Sequence, residues 1–142
     1  MASLTLEKAL TIARETLAEG QRRAFAPLCC VVLDSGGHAL VLLRDEGASI
    51  NRPEIATAKA AGCLAMGFGG RELKRRAEAM PAFFAGLQAS LPRGMLPVPG
   101  GVLIRSAGEL VGAVGVTGDT SDNDEICALA GITAAGLEAE TG

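Results

Sequence analysis

The sequence predicts an α+β fold with one antiparallel sheet and flanking helices. Helical patterns and pairs of apolar runs alternate in the order helix, two strands, helices, two strands, helix. Each pair of strands is separated by a tight turn that contains glycine, so its strands must run antiparallel. The length of 142 residues and the 49% hydrophobic and 20% charged fractions suit one hydrophobic core, and we expect a single domain over residues 1–142.

A helix and a hairpin are predicted in the first third of the chain. Apolar residues recur every three to four positions across Leu4–Arg22, and Ser3 can cap that helix. Leu28–Asp34 and His38–Arg44 are apolar runs of strand length. Residues 34–37 (Asp-Ser-Gly-Gly) between them form a turn signal, because glycine adopts positive φ at little cost.

The middle of the chain predicts three helices and a loop. Pro53–Phe68 is rich in alanine and has proline in its first turn, so it is predicted as a second long helix. Its small residues imply close packing against the sheet. A short basic helix is expected over Arg71–Ala79, and another begins at Pro81 and runs to about Gln88. Residues 90–101 hold three prolines and three glycines and are predicted as a loop.

The last third predicts a second hairpin and a closing helix. Gly101–Arg105 and Leu110–Thr117 are its strands, with residues 106–109 as their turn. Ser121–Glu138 is predicted as the closing helix, with Ser121 or Asp122 as its cap and further acidic residues in its first turn.

Composition excludes several classes of function. Lys plus Arg is 13 and Asp plus Glu is 16, so the net charge is −3, and Trp and Tyr are absent. A nucleic-acid binder needs a basic face or stacking aromatic residues, so no nucleic-acid partner is expected. Every apolar run is too short for a membrane span, and the N-terminus lacks a secretory pattern, so we predict a cytoplasmic protein without a membrane partner.

The cysteines are predicted to be buried thiols rather than a redox or zinc site. They stand at positions 29, 30, 63 and 127, a spacing that fits neither a zinc pattern nor Cys-x-x-C. Cys29 and Cys30 are neighbours in a predicted strand, so their side chains should point to opposite faces of the sheet. With one histidine, His38, the chain has no zinc triad, and no metal site is predicted.

Polar groups beside glycine-rich turns are the candidate ligand-binding residues. Lys59 stands among small and apolar helix neighbours, where it either extends along its stem to solvent or contacts an anion. Arg44 either forms a rim ion pair with Asp45 or clamps a carboxylate or phosphate. We predict that the ligand-binding residues are Asp34, Arg44, Lys59, Gly100, Gly101, Thr117 and Asp119.

Two further patterns have alternative explanations. Gly112, Gly115 and Gly118 recur every three residues through a predicted strand, which indicates either close packing or the approach of a ligand. The acidic run 119–125 is expected to be a helix cap and a solvated acidic turn, with a weak surface metal site as the alternative. It lacks the glycine and the final glutamate of a calcium loop.

Several of these motifs, taken in order, carry a family resemblance. They span about residues 4–138 and read VVLDSGGH at 31–38, LRDEGA at 43–48, IATAKA at 55–60, PGGV at 99–102 and LVGAVGVTG at 110–118. In this combination the chain resembles the GlcG/HbpS family, whose domain also occurs at the C-terminus of PduO-type proteins.

The resemblance implies an α/β/α sandwich, assembled as a homo-oligomer. It also implies a small-ligand binding or sensing protein that is accessory to a catabolic pathway, with haem as the leading ligand and possible cofactor. Haem-binding members supply a histidine near the end of the first helix, whereas residues 20–27 contain none here. His38 lies in the hairpin turn, and Met95, Cys63 and Cys127 are the other side chains that could ligate iron.

Two other functions remain open from the sequence. In one, the protein is a cofactor-independent enzyme for a small anionic catabolite. Arg44 and Lys59 then hold a carboxylate, while Asp34 or Asp119 handles a proton. If Lys59 binds an anion, Lys59→Met should abolish ligand binding and leave the thermal midpoint roughly unchanged. In the other, the protein is an oligomeric accessory protein without a ligand.

Overall fold

The computed structural model describes residues 3–142 and contains one sheet with helices on both faces. The predicted α+β class and antiparallel sheet are confirmed, with element ends mostly within two residues of those expected. The elements, in chain order, are α1 Leu6–Arg22, β1 Cys29–Asp34, β2 Ala39–Arg44, α2 Arg52–Met66, α3 Gly70–Ala79, α4 Pro81–Leu87 with a 3-10 turn at Gln88–Ser90, β3 Gly101–Ser106, β4 Glu109–Thr117, α5 Ser121–Ala134 and β5 Glu138–Glu140.

The sheet joins two hairpins through their inner strands. Its order is β2-β1-β4-β3-β5, and every neighbouring pair is antiparallel. At one end of β1, Cys29 lies opposite both Arg44 of β2 and Thr117 of β4. At the other end, Asp34 lies opposite Gly112 of β4. The two ends of β1 are therefore separate places for a site.

The core has two halves, one on each face of the sheet. Cys30 and Val32 face α1 and α5 and pack with residues such as Ile12 of α1. Cys29 and Val31 face the other side, where α2 covers the sheet. The opposite orientation of the two neighbouring cysteines is confirmed. All four cysteines are free and buried, as the sequence predicts. In the stretch from residue 3 to 142, no helix has both the length and the apolarity to cross a membrane.

Two helix caps differ from those expected. Thr5, rather than Ser3, caps α1, because its hydroxyl accepts a hydrogen bond from the Lys8 amide at 3.1 Å. Thr120 caps α5 in place of Ser121 or Asp122, and its hydroxyl accepts from the Asn123 amide at 3.2 Å. Both caps stand one residue before the helix, where the backbone is extended and the side chain can reach the free amides.

The closing helix was predicted to end at Glu138, and this end is wrong. The helix ends at Ala134, and Gly136 turns the chain with φ +74°. Residues Glu138–Glu140 then form β5, which pairs with β3. The Arg105 Nε atom donates to Glu140 at 2.6 Å and helps to hold the strand in place. Glutamate and alanine favour helices, so tertiary pairing overrides the local preference here.

Candidate functional site

The predicted ligand-binding residues fall at two ends of the sheet. Arg44 and Thr117 flank Cys29, and the Val116 amide donates to the Gly100 carbonyl at 2.9 Å. The structure therefore brings together, at one end, the residues Arg44, Lys59, Gly100, Gly101, Thr117 and Asp119. Asp34 lies at the opposite end of β1, about 17 Å away along a strand that rises ~3.3 Å per residue.

Lys59 forms a buried ion pair with Asp124 of α5. Its ammonium group donates to Asp124 Oδ2 at 3.1 Å and to the Val116 carbonyl at 2.9 Å. The side chains of Lys59 and Asp124 are only 3% and 1% exposed. Glycine makes room for the lysine, because a Cβ atom on Gly100 would lie 2.7 Å from Nζ. Of the two alternatives for Lys59, extension to solvent is therefore wrong, and the anion that its ammonium group contacts is a carboxylate of the chain itself.

This ion pair joins the two faces of the sheet. Burial lowers the pKa of Lys59 and raises the pKa of Asp124, and the attraction between the two groups opposes both shifts. Asp124 Oδ1 also accepts the Asp119 amide at 2.9 Å. Because Lys59 comes from α2 and Asp124 from α5, the contact stabilises the packing of helices on opposite faces.

Arg44 and Thr117 also have partners within the fold. Arg44 Nη1 donates to three backbone carbonyls of the following loop, at 3.2 Å for Asp45, 3.3 Å for Glu46 and 2.9 Å for Ala48. The rim ion pair with Asp45 is not formed, because the Asp45 carboxylate accepts the Leu28 amide instead. Thr117 Oγ1 accepts from Arg52 Nη1 at 2.7 Å. Arg52 carries no signal in the sequence, since nothing local connects it with Thr117.

The acidic run 119–125 is mostly engaged in the fold. Asp119 accepts the Ala26 amide at 2.8 Å, together with the Thr120 amide and the Asn123 side chain, and these hydrogen bonds lower its pKa. Arg71 of α3 pairs with Glu125 at 2.9 Å and with exposed Asp122 at 2.7 Å. The expectation of a solvated acidic turn is wrong for the buried Asp124 and Glu125. Over residues 3–142, no three His, Cys, Asp or Glu side chains are grouped to hold a metal ion.

An open groove of about 460 Å³ lies at the other end of β1. We call it the α2 groove. Its walls are the β1–β2 turn, the outer side of α2 and the loop before β3, and its lining consists of Ser35, Gly36, Gly37, Ala61, Leu64, Ala65, Leu91, Pro92, Arg93 and Gly94. A second cavity of about 440 Å³ shares Pro92 and Arg93 with it and continues along α2 past Leu42, Pro53, Glu54 and Thr57.

Arg93 is the cation of the α2 groove. It is exposed, and across residues 3–142 its guanidinium has neither an ion pair nor a hydrogen bond. Its Nη1 atom lies 3.0 Å from the position that a Cβ would take on Gly37. The loop that carries Arg93 is closed at its base, because the Gln88 side chain bonds both the amide and the carbonyl of Met95. Arg93 stands in a loop without a motif, so no pattern in the sequence indicates it.

Asp34 organises the turn that forms one wall of the groove. Its Oδ1 atom accepts the amides of Gly36 and His38, both at 3.0 Å. The His38 ring packs beside Gly36, with Cδ2 at 3.1 Å from the position of a Cβ on that glycine. His38 is exposed and is not among the residues that line the groove.

The sulfur atoms are not accessible to a ligand in the groove. Burial raises the pKa of Cys29 and Cys127 to about 11, and that of Cys30 and Cys63 to about 12, so they are protonated thiols at neutral pH. Met95 is also buried, and its side chain packs against Gly62 of α2.

Comparison with known proteins agrees with this architecture. HbpS, known from its crystal structure, is 29% identical with a TM-score of 0.81, over 94% of this chain and 90% of that one. A structure of PduOC in complex with haem is 23% identical with a TM-score of 0.86, over 96% of this chain and 98% of that one, and shows the same fold.

Sequence comparison points in the same direction. An uncharacterised 15.0 kDa protein from the dhaT-dhaS intergenic region of Citrobacter freundii is 27% identical over 133 residues, which cover 87% of this chain and 93% of the relative. Residues 4–133 match the family described as haem degrading protein HbpS-like. Motifs, fold and family match agree, and the chain belongs to the HbpS-like family, as the resemblance found in its sequence predicts.

Proposed function

We propose that this protein binds a flat, apolar molecule that carries carboxylate groups, with haem as the first candidate, in the α2 groove. The observation that carries the proposal is the unpaired guanidinium of Arg93 above a largely apolar lining. Arginine is well suited to this position, because its planar guanidinium donates two parallel hydrogen bonds to a carboxylate. Membership of a family described by haem chemistry supports the choice of ligand.

The chemistry and size of the groove fit such a ligand. Small-molecule sites commonly enclose about 300–1,000 Å³ and combine apolar walls with a few polar groups. The groove of about 460 Å³ lies in that range. Ala61, Leu64 and Leu91 offer apolar surface to the faces of a ring. The second cavity beyond Arg93 lets a larger macrocycle extend along α2. When bound, haem would supply an iron centre that can take an axial ligand.

The alternative of a cofactor-independent enzyme has less support. That hypothesis needs Arg44 and Lys59 to hold the carboxylate of a substrate. Lys59 instead donates to Asp124 and Val116 in a buried position, and Arg44 donates to the carbonyls of its own loop. The arrangement around Lys59 is better explained as a stabilising contact between helices than as a substrate site.

The wider biological role is proposed on the sequence. We expect a cytoplasmic homo-oligomer that acts as a ligand-binding or sensing accessory of a catabolic pathway, without a nucleic-acid or membrane partner. A relative encoded between dhaT and dhaS is consistent with an accessory role, although that relative is itself uncharacterised.

The direct test is a haemin titration of the purified protein, followed by visible spectroscopy. We expect a saturable, shifted Soret band at one haem per chain or per dimer. Arg93→Ala should weaken the affinity about tenfold or more, since a hydrogen bond to a charged group contributes ~1.5–3 kcal/mol. The matched control is Arg14→Ala on α1, an exposed arginine on the other face of the fold, which should leave the affinity unchanged.

Two results would contradict the proposal. A wild-type spectrum identical to that of free haemin would exclude haem, and a thermal-shift screen of smaller carboxylates would then test the groove itself. Equal haemin affinity in wild type and Arg93→Ala would place the ligand elsewhere on the protein.

A further inference from the structure

We infer that the α2 groove recognises the carboxylate and the apolar body of its ligand and does not coordinate a metal. The ligand class is then an apolar carboxylate that need not contain iron, and a metal-free tetrapyrrole should bind as tightly as haem. The inference rests on the proposed function and narrows it, because it states which parts of the ligand the protein contacts.

Within residues 3–142, the side chains that line the α2 groove carry no group suited to be an axial ligand of iron. Haem iron is held by imidazole, thiolate, thioether or phenolate groups. Apart from Ser35 and Arg93, the lining consists of glycine, alanine, leucine and proline. A guanidinium only donates hydrogen bonds, and a serine hydroxyl is not among the usual ligands of haem iron. The groove can therefore contact a haem through its carboxylates and ring faces but not through its metal.

The side chains of the chain that could ligate iron lie outside this groove. His38 is exposed in the β1–β2 turn and does not line the groove. Met95 is buried against Gly62, and the four cysteines are buried as well. Met66 and Met80 are not part of the lining, and tyrosine is absent from the sequence. A ligand in the groove is thus held by contacts that do not depend on iron.

The two polar side chains of the lining suit a carboxylate. Arg93 is exposed, and in the part of the chain that the structure describes neither its guanidinium nor the Ser35 hydroxyl takes part in a hydrogen bond. Arg93 Nη1 lies 3.0 Å from the position of a Cβ on Gly37, two residues after Ser35. Both donors therefore belong to the same end of the groove, where a carboxylate can accept from a charged and a neutral group.

The second cavity disfavours a further acidic group. Besides Arg93, which both cavities share, its polar side chains are Glu54 and Thr57. The Thr57 hydroxyl already donates to the Pro53 carbonyl at 2.9 Å. The Glu54 carboxylate repels another negative charge, so the part of a ligand that extends past Leu42 should be neutral. The ligand that fits is acidic at one edge and apolar elsewhere.

The first test compares haemin with protoporphyrin IX, which is the same ring system without iron. Binding of protoporphyrin IX is followed by its fluorescence, and haemin is measured by its Soret band and by displacement of the metal-free ring. We expect the two dissociation constants to agree within about threefold. Haemin affinity about tenfold or more above that of protoporphyrin IX would overturn the inference, since iron coordination would then contribute to binding. The proposed function would stand in that case.

The second test removes the charges of the ligand and keeps its ring. The dimethyl ester of protoporphyrin IX should bind about tenfold or more weakly than the acid, because the ester cannot pair with the guanidinium. Arg93→Ala should weaken binding of the acid and leave binding of the ester unchanged. Equal affinity of acid and ester for the wild-type protein would overturn the recognition of the carboxylate.

His38→Ala is the matched control for coordination of iron. We expect its haemin affinity and its ferric haemin spectrum to equal those of wild type, and a changed spectrum would overturn recognition without the metal. Failure of the proposed function has a different signature. If neither haemin nor protoporphyrin IX binds to the wild-type protein, the proposed function is rejected, and this inference with it.

Discussion

Lys59 shows how a single residue can have a role that its neighbours in the sequence do not indicate. A lysine among alanines suggests a ligand contact, yet here it pairs with Asp124 beside the end of the inner strand β4. Removing two charges from water costs several kcal/mol, and the attraction within the pair offsets that cost only while both partners are present. Substitution of either residue alone should therefore lower the free energy of unfolding by a large amount.

We predict that Lys59→Met destabilises the protein by about 3–5 kcal/mol, because Asp124 is left buried without a counter-charge. Urea unfolding monitored by circular dichroism measures the change. This expectation replaces the one from the sequence, in which the same substitution leaves stability unchanged. Lys74→Met, at an exposed lysine of α3, is the control and should stay within ~0.5 kcal/mol of wild type.

A double-mutant cycle checks that the effect comes from the pair. Lys59→Met combined with Asp124→Leu should cost less than the sum of the two single substitutions, since no unpaired charge remains. Simple additivity of the free energies of unfolding would show that the two residues are not coupled.

At the scale of elements, glycine in β4 sets how closely α2 approaches the sheet. A Cβ atom on Gly115 would collide with the Ala56 carbonyl oxygen and would lie 3.0 Å from the Ala60 amide nitrogen. A Cβ on Gly112 would collide with the Leu33 carbonyl, and one on Gly118 with that of Pro27. Of the two explanations for the three-residue glycine period, the structure favours close packing of backbone over the approach of a ligand.

We predict that Gly115→Ala strongly lowers the thermal midpoint, because the added methyl group can fit only if α2 moves away from β4. Differential scanning fluorimetry at neutral pH is sufficient to measure it. Gly86→Ala in α4 is the matched control, since no atom outside its own helix lies within 4 Å of the new Cβ. Alanine is the better helix former, so this control should be neutral or stabilising by up to ~1 kcal/mol. Equal midpoints for the two variants would contradict the packing argument.

At the scale of the whole molecule, the exposed surface determines where another protein chain can bind. Both faces of the sheet are covered by helices, so a partner must contact loops, outer helix surfaces or the edge strands β2 and β5. Large apolar side chains are exposed at several of these places, with Ile50 95% exposed in the loop before α2 and Phe83 55% exposed on α4. A contiguous apolar patch is typical of a surface that binds another protein, whereas single exposed apolar side chains are common on any protein, so each of these two places needs its own test.

We predict that the protein is a homo-oligomer at micromolar concentration, as the family resemblance implies. Light scattering coupled to size exclusion measures the mass, and a monomer would contradict the prediction. Ile50→Asp and Phe83→Asp, made separately, test which surface is used, because a charge buried in an interface without a partner disfavours association. The variant that leaves the mass unchanged serves as the control for the one that lowers it.

How much the sequence could predict depends on the distance over which each interaction acts. Apolar periodicity, turn residues and ordered motifs lie within a few positions of one another, and they determined the α+β class, the two hairpins, four of the helices nearly to the residue, and the family. The Lys59–Asp124 pair spans 65 positions and the Arg105–Glu140 contact of β5 spans 35. Such partners become neighbours only after the chain has folded.

The candidate site divides in the same way. The sequence by itself marked Asp34 as a candidate ligand-binding residue through its turn, because that turn is local. Only the tertiary structure decided that Arg93, from a loop without a motif, lies beside the same turn. It also decided that Lys59 pairs with the buried Asp124 rather than with a ligand. The physical reason is that solvent exposure and the pairing of charges are properties of the packed chain, whereas residue type and spacing are properties of the sequence.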